Sequence, residues 1–282
     1  MDIIAKKSLG QNFLKDESVL NHIIESANLS KDDVVLEIGP GQGALTEKLA
    51  DVCKKVIAIE LDERLVEVLH TKFVGNNPPA GGVEIIAGDI LKINLPELII
   101  EHGLDKTGYK VVANLPYYIT SPIVRLLLET KYPPMEMVVM VQKEVAERIV
   151  AKKGAMSILA VSVQYYAKPE FLFTVFKESF EPKPKVDSAI LKISSISSSP
   201  LGEDVRRTDE GSVAIKEETK KFFRIVRAGF SAKRKTLINN LANGLQLEKK
   251  LVEEKLVSLG FPPNTRAQEL GVEDWRKLVE LL

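Results

Sequence analysis

Between residues 34 and 142, short apolar runs alternate with segments whose apolar positions recur every three or four residues. "VVLEIG", "KVIAIEL", "VEIIAG", "YKVVAN" and "MEMVVMVQ" predict five strands, and "ALTEKLADVC", "DERLVEVLHTKF" and "SPIVRLLLET" predict helices between them. Such alternation implies parallel βαβ units, and the near-continuous apolar character of the strands fits burial on both faces. "SILAVSVQYYA" predicts a further helix. "EFLFTVF" and "DSAILKI", joined by the proline-broken loop "SFEPKPKV", predict two more strands, antiparallel at one edge. The expected class is α/β, with a doubly wound, mostly parallel sheet.

"SSISSSPLGEDVRRTDEG" is polar and serine-rich and reads as a linker. Beyond it the pattern is helical throughout. "EETKKFFRIVRAGF" carries an apolar stripe of Phe222, Phe223, Ile225, Val226 and Phe230, and Ser231 is the expected N-cap of "AKRKTLINNLANGL". Gly260 is expected just past the end of "LEKKLVEEKLVSLG", and Trp275 is expected as a core anchor. The predicted organisation is a large domain over 1–193, a linker over 194–215 and a small all-helical domain over 216–282.

Composition adds exclusions. Hydrophobic residues make up 45% of the 282 and charged ones 28%, the profile of a soluble globular protein. No apolar run approaches the ~18 residues that span a bilayer, and "MDIIAKKSLGQNFL" lacks the long apolar core of a secretion signal. Cys53 is the single cysteine, which fits a reducing cytoplasm. His22, His70 and His102 are scattered without cysteine partners, so no metal is expected. Lys+Arg and Asp+Glu both total 39, yet residues 216–235 hold eight basic residues against two Glu. Lys220, Arg224, Arg227, Lys233, Arg234 and Lys235 are therefore candidates for nucleic-acid phosphates, with Lys6 and Lys7 near the N-terminus.

The candidate chemistry sits where predicted strands end. In "LEIGPGQGAL", Gly39 and Gly41 let a strand-to-helix turn come close to a nucleotide. Glu60, at the end of the next strand, can accept from both hydroxyls of a ribose, and Asp89 can accept from an adenine amine. Asp62 reads as a helix cap. The glycine spacing alone also suits a nicotinamide dehydrogenase. "NLPYY" points elsewhere. The Asn114 side-chain oxygen and the Leu115 carbonyl can hold both protons of an exocyclic amine and favour its pyramidal, nucleophilic form, and Tyr117 offers a flat face for the base.

In order along the chain, "SLGQNFL", "LEIGPGQGAL", "AIELD", "GDIL", "NLPYYI" and "SFEPKPKVDSAI" resemble the ribosomal RNA small-subunit adenine dimethyltransferase family. "FSAKRKTLINNL" is similar to that family's helical domain. The resemblance implies a Rossmann-like methyltransferase domain and S-adenosylmethionine as methyl donor. It implies small-subunit ribosomal RNA as the partner, with two adjacent adenosines of a hairpin dimethylated during ribosome assembly. It also implies roles by residue: Asn12, Leu14, Gly39, Gly41, Glu60, Asp89 and Asn114 toward the cofactor, and Tyr117 and Phe180 as the two faces that sandwich the target base. The expected assembly is a monomer, with no metal and no membrane. Two alternatives stay open: a large-subunit adenine methyltransferase of the macrolide-resistance type, and an assembly-binding factor with secondary catalysis.

Overall fold

The computed structural model describes residues 5–6, 9–74, 82–197 and 209–282. The chain divides into two compact units, Met1–Ala146 with Ala167–Ile196, and Glu147–Tyr166 with Ser197–Leu282. The second unit therefore takes in the segment 147–166, which the sequence pattern groups with the sheet.

The first unit begins with a two-residue strand, β1 (Phe13–Leu14), and helix α1 (Glu17–Ala27). Then follow β2 (Val34–Ile38), α2 (Ala44–Val52), β3 (Lys55–Glu60), α3 (Glu63–Phe73), β4 (Gly82–Ala87), α4 (Leu95–Glu101), α5 (Leu104–Thr107), β5 (Lys110–Asn114), α6 (Thr120–Glu129) and β6 (Glu136–Gln142). Helix α7 (Lys143–Ile149) leads away toward α8 (Ile158–Tyr166), and the chain returns as β7 (Lys168–Val175), β8 (Phe180–Glu181) and β9 (Ser188–Ser194). Seven strands form one sheet in the order β4-β3-β2-β5-β6-β9-β7. The first five pair in parallel, and β9 pairs antiparallel with both β6 and β7. The predicted strands and the antiparallel edge are thus found.

Apolar faces of α1 and α2 close over the sheet. Leu20, Ile23, Leu45, Leu49 and Cys53 share one core with Val35, Val56, Val112 and Met140. The Cys53 thiol is 1% exposed, and burial pushes it up to about 11. Gly43 keeps its place by packing: a Cβ there would stand 2.6 Å from the Phe73 ring.

The N-terminal segment lies against this unit as a strap. β1 pairs antiparallel with β8, with Leu14 opposite Phe180. Lys15 N–H donates to the Ser179 carbonyl, and Ser179 Oγ donates to Asp16. On the other side the strap is tied to Asp62, whose side chain is 1% exposed. Asp62 accepts from Arg64 Nε and Nη2 at 3.0 and 2.6 Å, from Gln11 Nε2 at 3.0 Å and from Lys6 Nζ at 3.1 Å. It also caps α3 through Arg64 N–H, as expected. The Arg64 guanidinium chiefly, with Gln11 and Lys6, holds the Asp62 carboxyl well below the usual carboxylate range.

In the second unit α9 (Asp209–Gly229), α10 (Leu237–Leu245), α11 (Lys249–Ser258) and α12 (Val272–Leu281) pack with α8. Tyr165 of α8 lies against Phe222 and Phe223, with ring centroids 4.2 and 5.1 Å apart. These aromatics carry 147–166 into this unit. Helix α9 already runs from Asp209, inside the stretch expected to be linker; 198–208 of that stretch lie outside the described residues. Helix α10 starts five residues later than predicted. Its cap is Thr236, not Ser231, because the Asn240 amide donates to the Gly229 and Ala232 carbonyls and holds the intervening chain in a turn. Gly260 follows α11 with φ 84°, and Trp275 is fully buried, as expected. Among the described residues no helix is long and apolar enough to cross a membrane.

Two outcomes follow from this packing. A Cβ on Gly229 would lie 2.3 Å from the Trp275 ring, so Gly229→Ala should lower unfolding stability by about 1–3 kcal/mol in denaturant titrations. Asp62→Ser keeps a capping oxygen but releases Lys6 and Gln11, and should cost about 1–2 kcal/mol near neutrality. Because the folded carboxyl titrates below its unfolded value, that contribution is present above the ordinary carboxylate range and vanishes in acid. The wild-type and Asp62→Ser stabilities should therefore converge as pH falls, and limited proteolysis should find the strap of the variant more readily at neutral pH.

Candidate active site

Parallel pairing brings the carboxyl ends of β2, β3, β4 and β5 to one edge of the sheet. Strand order reverses between β2 and β5, which opens a crevice beyond those ends. Gly39 follows β2, Glu60 ends β3, Asp89 follows β4 and Asn114 ends β5. All four line one cavity of about 1130 Å³, open mouth included, and the strap covers part of it with Leu9 to Leu14.

Gly41, with φ 60°, donates its N–H to Glu60 Oε2 at 3.1 Å. A Cβ at Gly41 would stand 3.1 Å from the Phe13 ring. The turn is therefore pressed between the strap and β3, and a side chain there would strain the backbone and have to displace the Phe13 ring. Glu60 also accepts from Asp62 N–H at 2.9 Å. A carboxylate has about four acceptor sites, so room remains for a ribose diol. Burial raises the Glu60 carboxyl, against the opposing bonds from the Asp62 and Gly41 backbone. Asp89 caps its own turn through Leu91 N–H at 3.0 Å while lining the cavity.

Glu37 is an acid that sequence patterning hid inside an apolar strand. It lines the cavity at 1% exposure, and burial pushes it up to about 8. The Thr46 hydroxyl is near enough to oppose that shift, though not in hydrogen-bonding geometry, and the Glu60 charge adds to it. Glu37 Oε2 has no hydrogen-bond partner among the described residues. A buried acceptor left open beside a glycine turn suits a ligand bearing a cationic or N–H group.

Asn114 Nδ2 donates to the Asn12 carbonyl at 3.4 Å. A carbonyl only accepts, so the amide's NH₂ end faces the strap and Oδ1 is the end left to accept from a ligand. Among the described residues the Leu115 carbonyl receives no backbone donor, while its N–H donates to Met140 O. Tyr117 hydrogen-bonds Ser188 Oγ through its hydroxyl at 2.5 Å, which fixes the ring; burial raises its hydroxyl. Two acceptor oxygens and a fixed ring at the mouth of a nucleotide-sized cavity can orient a planar amine.

Asn12, Leu14, Gly39, Gly41, Glu60, Asp89, Asn114, Leu115 and Tyr117 thus come together on one cavity. Phe180 does not. Pairing of β8 with β1 turns its ring into the core with Leu14 and Val175, at 5% exposure. Lys6 is committed to Asp62 rather than free for phosphates, and Lys7 lies outside the described residues. Lys220, Arg224 and Arg227 recur at i, i+4 and i+7 on the exposed side of α9, with Lys220 paired to Glu217 at 2.6 Å. Lys233, Arg234 and Lys235 are exposed in the turn before α10. Besides Glu37, sequence reasoning passed over Gln11, Phe13 and Tyr118 as cavity-lining residues, although all three stand within quoted motifs. Among the described residues no cluster could hold a metal.

Comparison with known proteins gives the chain's family. The family model described as "Ribosomal RNA adenine dimethylase" matches residues 4–282. A Dehalococcoides mccartyi protein named ribosomal RNA small subunit methyltransferase A is 45% identical over 97% of this chain and 87% of its own. A Bacillus cereus protein of the same name is 41% identical over 98% and 91%. Among solved structures, a dimethyladenosine transferase from Plasmodium falciparum matches with a TM-score of 0.74 and 28% identity, covering 94% of this chain and 95% of that one. The 23S rRNA methyltransferase ErmE matches with a TM-score of 0.71 and 28% identity, covering 96% and 99%. With the matched model spanning nearly its whole length, the chain belongs to the ribosomal RNA adenine dimethylase family.

Proposed function

We propose that the protein transfers methyl groups from S-adenosylmethionine to the exocyclic amines of two adjacent adenosines in a small-subunit ribosomal RNA hairpin, giving dimethyladenosines. The observation that carries this reading is the orientation of Asn114, whose amide NH₂ is taken by Asn12 and whose oxygen is left for the cavity. The donor supplies a methyl already activated on sulfonium. The chain's part is positioning: Glu60 and Asp89 accept from ribose and adenine, and Glu37 accepts from the amino-acid end. Asn114 Oδ1 and the Leu115 carbonyl hold the two protons of the target amine, while the Tyr117 ring supports the base. No strong base is required, because the proton shed after transfer is acidic enough for water. The target base leaves its stack to reach this cavity. Lys220, Arg224, Arg227, Lys233, Arg234 and Lys235 contribute phosphate contacts, so binding should weaken steeply with salt.

The large-subunit alternative is less well supported. Relatives named for the small subunit share 41–45% identity with the chain, against 28% for the 23S enzyme. A pure assembly factor would have no use for an amide oxygen left open beside the glycine turn.

With undermethylated small subunits and radiolabelled donor, Asn114→Ala should lower turnover by about 100-fold or more, with a far smaller change in donor affinity. Undiminished turnover would overturn the assignment. Glu37 is uncharged below about 8, and a cationic donor favours its ionised form. Donor affinity should therefore rise toward pH 8, by up to about tenfold per unit, with a proton released on binding. Calorimetry in two buffers of different ionisation enthalpy measures that proton, and Glu37→Gln should remove the dependence.

A further inference from the structure

Tyr118 has no part in the chemistry above, yet it lines the same cavity and is 56% exposed. Its neighbour Tyr117 is tied down by Ser188, whereas the Tyr118 hydroxyl makes no hydrogen bond among the described residues. What supports it is the strap. A Cβ on Gly10 would stand 3.4 Å from the Tyr118 ring, so the ring rests directly on bare backbone. Gly10 has φ 61° within a turn closed by Gln11, which accepts from Lys6 N–H at 2.7 Å and donates to Asp62. The Asn12 side chain fastens the same turn by donating to the Gly10 carbonyl at 3.0 Å. Burial of a large aromatic is the usual reason for its presence, and that reason is missing here. The ring is propped from behind and left open at the rim of the cavity.

We propose that Tyr118 is a nucleobase-stacking subsite that holds the nucleotide next to the target adenosine, with the Gly10 turn as its backing. This rests on the reading of the cavity as an adenosine-methylating site. A base flipped onto Tyr117 stays tied to its neighbour by one phosphodiester link, so that neighbour arrives at the same cavity mouth, where Tyr118 lies. An aromatic face recognises that neighbour without regard to its hydrogen-bonding edge, so the subsite takes any base and favours purines by area. The residue registers the strand at the mouth and does not touch the reacting atoms.

The test uses the full-length protein and a synthetic RNA hairpin carrying 2-aminopurine beside an adenosine in its loop, together with methyl transfer to undermethylated small subunits. Tyr118→Ala should weaken hairpin binding and raise KM for subunits by about 5- to 150-fold, leave donor affinity unchanged and abolish the fluorescence change of 2-aminopurine. Tyr118→Phe should restore all three, which a lost hydroxyl contact would not allow, while the unchanged donor affinity of Tyr118→Ala excludes a folding defect. Asp62→Ser, which loosens the backing, should give a smaller defect of the same kind. An unchanged KM and unchanged fluorescence in Tyr118→Ala would overturn the subsite alone. Absence of methyl transfer by the unsubstituted protein would overturn the proposed chemistry and the subsite with it.

Discussion

The bond from the Asn114 amide to the Asn12 carbonyl joins two parts of the chain that are 102 residues apart. It makes the site directional. Strand β5 delivers Asn114 to the edge of the sheet, but the strap decides which end of its amide faces the cavity. The strap in turn depends on Asp62 on one side and on the β1–β8 pairing with Ser179 on the other. The reactive geometry is therefore not a property of the sheet alone. It is shared with a short segment that would have little structure of its own.

Asp62 also connects the strap to Glu60. Its side chain gathers the strap, and its backbone N–H donates to Glu60. The same residue thus orients a candidate ribose acceptor and holds the strap that lines the cavity. Buried charge is costly unless several donors meet it, and Asp62 meets that condition with Arg64, Gln11 and Lys6. An unsupported carboxylate at that point would have destabilised both elements.

Much of this was legible in the sequence because periodicity changes where strand gives way to helix. Buried parallel strands such as Val34–Ile38 and Glu136–Gln142 read as apolar runs, and the motif residues at their ends converge once the pairing is parallel. What escaped depends on contacts distant in sequence. Two-residue strands carry no pattern, so β1 and β8 were invisible, and with them the burial of Phe180. Lys6 looked like a free cation because Asp62 is 56 residues away. Thr236 displaced Ser231 as a cap because Asn240 reaches back to Gly229 and Ala232. Glu37 was readable in principle: a lone acid in an otherwise apolar strand needs a reason, and the reason is the cavity.

The buried Cys53 has a consequence for regulation. It is the chain's one sulfhydryl, and its proton is held far above neutral pH within the packed interior. Oxidants and electrophiles attack the thiolate at an accessible surface, and this sulfur meets neither condition while the fold is intact. Cys53 is therefore shielded from peroxide and from exchange with glutathione for as long as the surrounding core stays packed.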